Sequence, residues 1–277
     1  MIIQKKLNSE KPPITHSVTV INQRGEKKQV MIATEIPLTI KVDGQELVTL
    51  MTLGMHQKDL VLGYVRNQGL ITDLKAIEGI TIDWENETAD IATVSGNGLI
   101  EMEKKKSTKV VTSGCGQGTL FSCNLDKLYN TPLKPFKLRQ STLYTLLKSL
   151  SKCNPIYKTA GSVHGCALCH GSKILLFFED VGRHNAADAI SGRMWTEHIK
   201  GTNKILYTTG RLTSEIVMKS AAMEISVLVS RSGVTRMGLD LAIDLGMTII
   251  GRAKGSNFSV FSGEEFMVFD GVKKQIS

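Results

Sequence analysis

The sequence predicts an α/β protein with a smaller, mainly-β N-terminal domain followed by a three-layer α/β domain. Residues 1–134 contain short stretches in which apolar and polar residues alternate, as in half-buried strands. Residues 135–277 contain continuous apolar strands that alternate with amphipathic helices, and such strands need a sheet covered on both faces. The stretch Pro132–Pro135 lies where the pattern changes, so we predict the domain boundary after Lys134.

The N-terminal domain is predicted to contain hairpins, one helix and further strands. Between Ser17 and Val48 the alternation is interrupted by the turn signals Arg24-Gly25 and Asp43-Gly44. The stretch His56–Asn67 has the spacing of an amphipathic helix, and Gly69 ends it. Two more strands are predicted, Ile80–Trp84 and Ala89–Val94.

The second domain is predicted to alternate helices with strands. The predicted helices are Leu138–Leu150, Ala186–Ile199, Thr213–Met223 and Arg236–Leu245. The predicted strands are Ile174–Phe178, Ile205–Thr208, Val227–Ser230 and Thr248–Gly251, with a closing strand near Val260 and Phe261.

Composition limits the class of ligand and the compartment. The chain of 277 residues has a formal net charge of +8, which favours an anionic ligand, an acidic protein partner or nucleic acid. Only 5% of residues are aromatic, which argues against nucleic acid because stacking platforms are scarce. No apolar run is long enough to cross a membrane and the N-terminus lacks a signal-peptide core, so we expect a cytoplasmic protein without a membrane partner. The five cysteines, an odd number, do not suggest a disulfide scaffold.

Cys115 is the first candidate for covalent chemistry. It lies between Gly114 and Gly116 on a glycine-rich turn that follows a short apolar strand signal. A thiol on such a turn is reachable by a macromolecular partner, and exposed N–H groups can lower its pKa. The alternative is that Cys115 fills space as a small buried hydrophobe.

Polar residues follow the predicted strand Ile174–Phe178 and open a helix. They form the segment Glu179–Asn185, in which Asp180 could cap the helix, Arg183 could hold a carboxylate or phosphate, and His184 could exchange a proton. Ligands often bind where the strands of an open α/β sheet end. The alternative is a loop stabilised by its own caps and ion pairs.

Two later segments suggest an anion site. In Thr208–Glu215 a strand ends, Arg211 follows a glycine, and hydroxyls start a helix, although Thr213 and Ser214 could merely cap that helix. In Gly251–Asn257 two cations and a flexible glycine suit a pyrophosphate or a nucleotide, or form a simple basic turn.

Cys166 and Cys169 form the one Cys-x-x-Cys of the chain and are flanked by His164 and His170. A closed zinc site needs four ligands, so a redox or sulfur-carrying dithiol is the better functional interpretation. The alternative is a pair of small buried residues on a strand. Cys153 has no motif and is interpreted as structural.

Together these segments resemble the formate dehydrogenase accessory sulfurtransferase family, often called FdhD. The similarity covers most of the chain, and Glu179–Ala187, of the EDVGRHNA type, is its most specific part. The other matching segments are Glu35–Leu38, Leu60–Leu70, Ser113–Gly118, His164–Leu168, Gly210–Ala222 and Leu239–Val260.

The resemblance implies a function and a fold. Members take sulfur as a cysteine persulfide from a cysteine desulfurase and pass it to the molybdenum cofactor of formate dehydrogenase. It implies that Cys115 carries the persulfide, that the larger domain has a cytidine deaminase-like fold, and that the protein is a homodimer that holds no metal directly. The bound cofactor would be the bis(molybdopterin guanine dinucleotide) form, recognised through its guanine nucleotide. Its binding loop corresponds to Arg252, Ala253, Lys254, Gly255, Ser256 and Asn257.

The sequence departs from the family pattern in three places. The usual Cys-Gly-x-Cys-Gly is replaced by Cys115–Gly118, which lacks the second thiol, while Met-Arg-Thr-Pro becomes Met51–Gly54 and Ser-Glu-Gly becomes Asn67–Gly69. A relay with one thiol on this turn remains possible. We hypothesise that Cys166 or Cys169 supplies the missing thiol.

Two other functions compete with sulfur transfer. A cofactor-binding chaperone would insert the cofactor without sulfur chemistry at Cys115. A zinc deaminase would need a His-x-Glu and a Pro-Cys-x-x-Cys, but neither His164 nor His170 is followed by glutamate two residues later. The sequence leaves open whether the metal is molybdenum or tungsten, and whether cofactor binding precedes sulfur loading.

Overall fold

The computed structural model describes the backbone of residues 3–6 and residues 12–96, 98, 129 and 132–271. The chain forms two compact units. Unit 1 comprises residues 1–108, 154–164 and 178–197, and unit 2 comprises residues 109–153, 165–177 and 198–277. Unit 1 thus includes two segments from the second half of the chain, whereas the domain boundary after Lys134 stays a prediction.

Six α-helices lie in the described residues. They are α1 (Gln57–Asn67), α2 (Gln140–Leu150), α3 (Pro155–Ala160), α4 (Arg183–Thr196), α5 (Ser214–Ala222) and α6 (Arg236–Asp244). Short 3₁₀ helices occupy Leu74–Ala76 and Glu264–Phe266.

Unit 1 contains a mixed five-stranded sheet and a separate hairpin. The sheet has the order β1-β6-β7-β4-β5, and β2 and β3 pair with each other. Every second residue of β4 is buried, as the sequence alternation predicts. The strands are β1 (Ile3–Lys6), β2 (Thr15–Ile21), β3 (Lys27–Ala33), β4 (Ile36–Val42), β5 (Gln45–Thr52), β6 (Ile77–Asp83) and β7 (Thr88–Thr93).

Helices α1 and α4 pack closely within unit 1 because each has a glycine at the crossing. A Cβ atom on Gly63 would lie 1.7 Å from the carbonyl oxygen of Asp188, and one on Gly192 would lie 1.9 Å from that of Asp59. Asn67 donates to Asp188 over 2.7 Å and accepts from Ser191 over 2.8 Å. The two helices are therefore joined by backbone contact and by buried hydrogen bonds.

Unit 2 is built on a six-stranded sheet of order β10-β9-β11-β12-β13-β14. Strands β11, β12 and β13 are parallel, and every residue of β11 and β12 is buried, so both faces are covered. Leucines of α2 pack on one face in the same cluster as Tyr207 and Ala253. The strands are β8 (Leu138–Arg139), β9 (His164–His170), β10 (Lys173–Asp180), β11 (Ile205–Thr208), β12 (Val227–Ser230), β13 (Thr248–Lys254), β14 (Asn257–Ser262) and β15 (Met267–Val268).

The chain is therefore a mixed α/β protein with several sheets, while the cytidine deaminase-like layering stays a prediction. Helix α3 was not predicted, and β9 was expected only as the alternative to a dithiol site at Cys166 and Cys169. Residues 251–257 were predicted to form a loop, whereas most of them belong to the hairpin of β13 and β14. Polar and glycine residues there resemble a loop locally, but backbone pairing across the sheet extends both strands.

Candidate anion-binding site

The parallel strands of unit 2 carry an arginine at each of three neighbouring carboxyl ends. Arg211 follows β11, Arg231 follows β12 directly, and Arg252 lies in the last part of β13. All three side chains are exposed. Ligands of open α/β sheets bind at this edge. We call these three residues the arginine row.

The turns that carry the first two arginines are cross-linked by hydrogen bonds. The hydroxyl of Ser230, which is fully buried, donates to the carbonyl of Gly210 over 2.6 Å and accepts from the amide of Ser232 over 2.9 Å. The amide of Arg231 donates to the carbonyl of Thr208 over 3.1 Å. Ser230 thus contacts the residue before Arg211 and the residue after Arg231.

The third arginine lies on an irregular part of the β13–β14 hairpin. The pairing shifts register between Gly251 and Lys254, and Arg252 has a left-handed φ of 53°. Its amide donates to the carbonyl of Ser232 over 2.7 Å. Bulges and positive φ values at residues other than glycine are enriched at functional sites, because they redirect a side chain at a cost in energy.

In the predicted cofactor loop, five residues are exposed to solvent and one side chain is buried in the core. The side chains of Arg252 and Lys254 are exposed, as are Gly255, Ser256 and Asn257. The side chain of Ala253 is 2% exposed and packs in the core cluster, so only its backbone is available to a ligand.

The segments that follow these three strands carry positive charges only. Residues 208–213, 230–235 and 251–257 contain Arg211, Arg231, Arg252 and Lys254 and no carboxylate. The nearest carboxylate along the chain after Arg211 is Glu215, which lies 3.9 Å from the ammonium group of Lys219. The edge can therefore attract and hold a polyanion.

One buried hydroxyl near the start of α5 has unused hydrogen-bonding capacity. Thr213 is the N-cap residue of α5, yet its side chain makes no capping bond, and among the described residues its Oγ1 has no hydrogen-bond partner. A phosphate at a helix start accepts hydrogen bonds of this kind.

Arg231 and Ser230 were missed by the sequence analysis. The available signal is that Arg231 follows the apolar strand Val227–Ser230, much as Arg211 follows Ile205–Thr208. No glycine precedes Arg231, so this turn did not match the pattern that drew attention to Arg211.

The polar segment Glu179–Asn185 serves mainly as structure in unit 1. The carboxylate of Asp180 is buried and accepts from the hydroxyl of Thr52 (2.5 Å) and the amide of Leu53 (3.1 Å). It also accepts from the amide of Gly182 and the side chain of Asn185, both over 2.9 Å. Burial raises the pKa of Asp180, and these four hydrogen bonds oppose the rise.

Glu179 stabilises the start of α3. Its two carboxylate oxygens accept from the amides of Ile156 (3.1 Å) and Tyr157 (3.0 Å), which belong to the first turn of that helix. Glu179 and Asp180 are the last residues of β10, so the interpretation of this segment as a loop with its own caps and ion pairs does not hold for them. The predicted capping of the following helix by Asp180 is not formed either, because the N-cap residue of α4 is Gly182 and that helix has no side-chain cap. Arg183 and His184 are partly buried in the same unit. That these side chains line one cleft with Arg211 of unit 2 stays a prediction.

The Cys-x-x-Cys pair does not form an exposed dithiol. Cys166 and Cys169 lie in β9, are fully buried, and have the odd spacing that places side chains on opposite faces of a strand. Burial raises the pKa of Cys169 to about 12. The interpretation as small buried residues on a strand is confirmed. The hypothesis that one of them supplies a second thiol for sulfur transfer stays a prediction.

The sulfur-carrying residue predicted from the sequence, Cys115, lies outside the described residues. Within the described part of the chain, no group of three or more histidine, cysteine or acidic side chains is arranged to hold a metal ion. No helix there is long and apolar enough to span a membrane.

A profile of the FdhD/NarQ family matches residues 33–268. The chain belongs to the FdhD/NarQ family. Relatives named sulfur carrier protein FdhD include one from Bacillus pumilus, which is 33% identical over 83% of this chain and 88% of its own length. Another, from Bacillus subtilis, is 31% identical over 88% of this chain and 93% of its own length. The family assignment confirms the resemblance inferred from the motifs.

The fold is similar to that of a solved structure. The crystal structure of a formate dehydrogenase accessory protein from Desulfotalea psychrophila superimposes with a TM-score of 0.72. It is 23% identical and covers 92% of this chain and 99% of that chain. At this identity the similarity establishes the fold.

Proposed function

We propose that this protein is a cytoplasmic sulfurtransferase that passes persulfide sulfur from a cysteine desulfurase to the molybdenum cofactor of a formate dehydrogenase. Family membership and the names of the relatives support the sulfur-carrier part of this proposal. The arginine row is the structural observation that carries the cofactor part. It offers three exposed arginines at one edge of the sheet to a ligand that has two diphosphate groups.

The proposed sulfur transfer needs one thiolate, that of Cys115. The thiolate attacks the outer sulfur of the donor persulfide, the sulfur–sulfur bond of the donor breaks, and the donor cysteine leaves as a thiolate. Cys115 then carries the persulfide, and no external oxidant is consumed. On delivery, Cys115 keeps the electron pair of the broken sulfur–sulfur bond and the acceptor supplies the pair for its new bond to sulfur.

The proposed binding residues for the guanine dinucleotide substrate are Arg252 to Asn257. Their charge and backbone geometry fit a phosphorylated ligand, because two exposed cations precede a turn at Gly255 that has a positive φ of 62°. The side chain of Ala253 is excluded from this role by burial. The protein would act as a homodimer, as the family resemblance implies.

Cys115→Ala tests this function directly. After incubation with a cysteine desulfurase and cysteine, we expect the wild type to gain one sulfur atom at Cys115 and the variant to gain none, as measured by mass spectrometry. The variant should still bind GDP and should fail to activate formate dehydrogenase. Cys153→Ala is the matched control, since Cys153 is a partly buried thiol away from the glycine-rich turn. Full activation by Cys115→Ala would instead support the cofactor-binding chaperone.

A further inference from the structure

The two cross-linked turns of unit 2 form a more specific site than a cationic edge. We propose that Arg211 and Arg231 form a clamp for a diphosphate group, and that Ser230 positions both of them. This inference rests on the proposed function, because it assigns the diphosphate of the guanine nucleotide to residues outside the loop Arg252–Asn257.

The backbones of the two turns are fixed relative to each other. Ser230 contacts Gly210 and Ser232 through its hydroxyl, which ties the segment before Arg211 to the segment after Arg231. The paired strands end at Thr208 and Ser230, and Arg211 and Arg231 follow that pair by three residues and one residue.

Further backbone bonds continue the connection beyond the arginines. The amide of Leu212 donates to the carbonyl of Gly233 over 3.0 Å, and the amide of Thr235 donates to the carbonyl of Leu212 over 3.0 Å. Leu212 and Val234 also form a parallel bridge. The two turns are thus paired from Thr208 to Thr235, so their backbones need little reorganisation on binding.

The chemistry of guanidinium groups also favours a diphosphate. A guanidinium group binds a phosphate through two parallel hydrogen bonds, so a diphosphate is matched by two guanidinium groups on neighbouring supports. Thr213, two residues after Arg211, has a buried hydroxyl with no partner among the described residues. Helix α5, nine residues long, begins at Ser214, three residues after Arg211, and the start of such a helix favours a phosphate.

The electrostatic surroundings favour a doubly charged group. Burial raises the pKa of Tyr207 to about 12, and the positive charge of Arg231 acts in the opposite direction. Glu215 is the only carboxylate of α5, and its partner Lys219 is on the same helix. A diphosphate carries more charge than a monophosphate, so the clamp should distinguish GDP from GMP.

The experiment compares the binding of GDP, GMP and inorganic pyrophosphate by the full-length protein, using titration calorimetry. We expect the wild type to bind GDP more tightly than GMP. Arg231→Gln and Arg211→Gln should each weaken GDP and pyrophosphate at least about tenfold, because each removes a charge-assisted contact to phosphate. GMP affinity should change much less.

Arg236→Gln is the matched control. Arg236 is an exposed arginine of the same unit whose guanidinium is held by Asp240 at 2.8 Å, so its loss changes the net charge equally without touching the clamp. Ser230→Ala should reduce the ratio of GDP to GMP affinity, which a general loss of stability would not do. Circular dichroism confirms that each variant is folded.

The outcomes separate the two proposals. An unchanged GDP to GMP ratio in Arg231→Gln and Arg211→Gln would overturn the clamp while leaving the guanine nucleotide function intact. Binding of pyrophosphate but not GDP, with loss in Arg231→Gln, would support the clamp and refute guanine nucleotide recognition. Failure of the wild type to bind either ligand would overturn both.

Discussion

Single residues decide which thiols and carboxylates of this protein can react. Cys166 and Cys169 form a motif that elsewhere carries redox chemistry, but here both side chains are enclosed in the sheet. Asp180 is the last residue of β10, and catalytic carboxylates often occur at strand ends. Its carboxylate, however, accepts four hydrogen bonds from within the protein. These three side chains are buried, whereas those of Arg211 and Arg231 are exposed and can meet a ligand.

The two strand thiols should resist alkylation in the native state. With a pKa of about 12, Cys169 is ionised in only about one molecule in 10⁴ at pH 8, and burial also blocks the reagent. We expect peptide mass spectrometry after iodoacetamide treatment at pH 8 to find Cys166 and Cys169 unmodified in native protein and modified in urea. Rapid labelling of both in the native protein would contradict their burial.

The same thiol should contribute to alkaline unfolding. The pKa of Cys169 is higher in the folded state than its ordinary value of 9.0, so the stability from this group is complete below about pH 9. That stability is lost as the pH rises toward 12. Cys169→Ser should therefore unfold with a shallower loss of stability above pH 9 than Cys153→Ser, as measured by urea titrations.

The contribution of Asp180 to the free energy of unfolding should depend on pH at and above the ordinary pKa of an aspartate. Its folded-state pKa lies above the ordinary 3.8, so its contribution to stability is complete below that value and declines as the pH rises through the raised pKa. Asp180→Asn lacks this decline. We expect its free energy of unfolding, relative to that of the wild type, to increase with pH in that window. A difference that stays constant or falls with pH would show that the four hydrogen bonds outweigh burial.

At the scale of elements, helix packing in unit 1 depends on two glycines. Gly63→Ala would place a methyl group within 1.7 Å of a backbone oxygen of α4, and a backbone atom cannot move aside as a flexible side chain can. We expect a loss of roughly 1–3 kcal/mol in the free energy of unfolding, from urea denaturation. Gly233→Ala is the control, since nothing lies within 4 Å of its Cβ position. Equal stability of the two variants would refute the close crossing.

Helix α3 depends on a residue distant in sequence. Glu179→Ala removes both acceptors for the first amides of α3, and we expect a cost of about 1 kcal/mol. Hydrogen exchange should accelerate at Ile156 and Tyr157, whereas the exposed Glu85→Ala should leave these amides unchanged. Unaltered protection in Glu179→Ala would remove its role as a cap.

At the scale of the whole molecule, the net charge of +8 should influence ligand capture. If the arginine row binds GDP, the affinity of the protein for GDP should fall roughly tenfold between ~0.05 M and ~0.5 M salt, because salt screens the attraction between the arginines and the phosphates. Guanosine, which is neutral, provides the control in the same titration. A GDP affinity independent of salt would place the nucleotide away from the arginine row.

The class of fold and many of its elements follow from the sequence alone. The strands Ile205–Thr208 and Val227–Ser230 were predicted with the bounds that the structure has, because a continuous apolar run between turn residues is a local signal. The helix at His56–Asn67 was predicted within one residue of α1. For residues 164–170 a strand was only the alternative to a dithiol site, since cysteines and histidines suggested a site and the pairing with β11 is not local.

The sequence by itself determined the family, the class of fold and the excess of positive charge, because motifs, periodicity and composition are properties of the chain. Only the tertiary structure decided which residues form a common site. Arg211, Arg231 and Arg252 come together because parallel pairing brings three separate carboxyl ends to one edge, and Ser230 links two of them. The tertiary structure also decided that Cys166 and Cys169 are buried, since burial depends on the neighbours that the fold supplies.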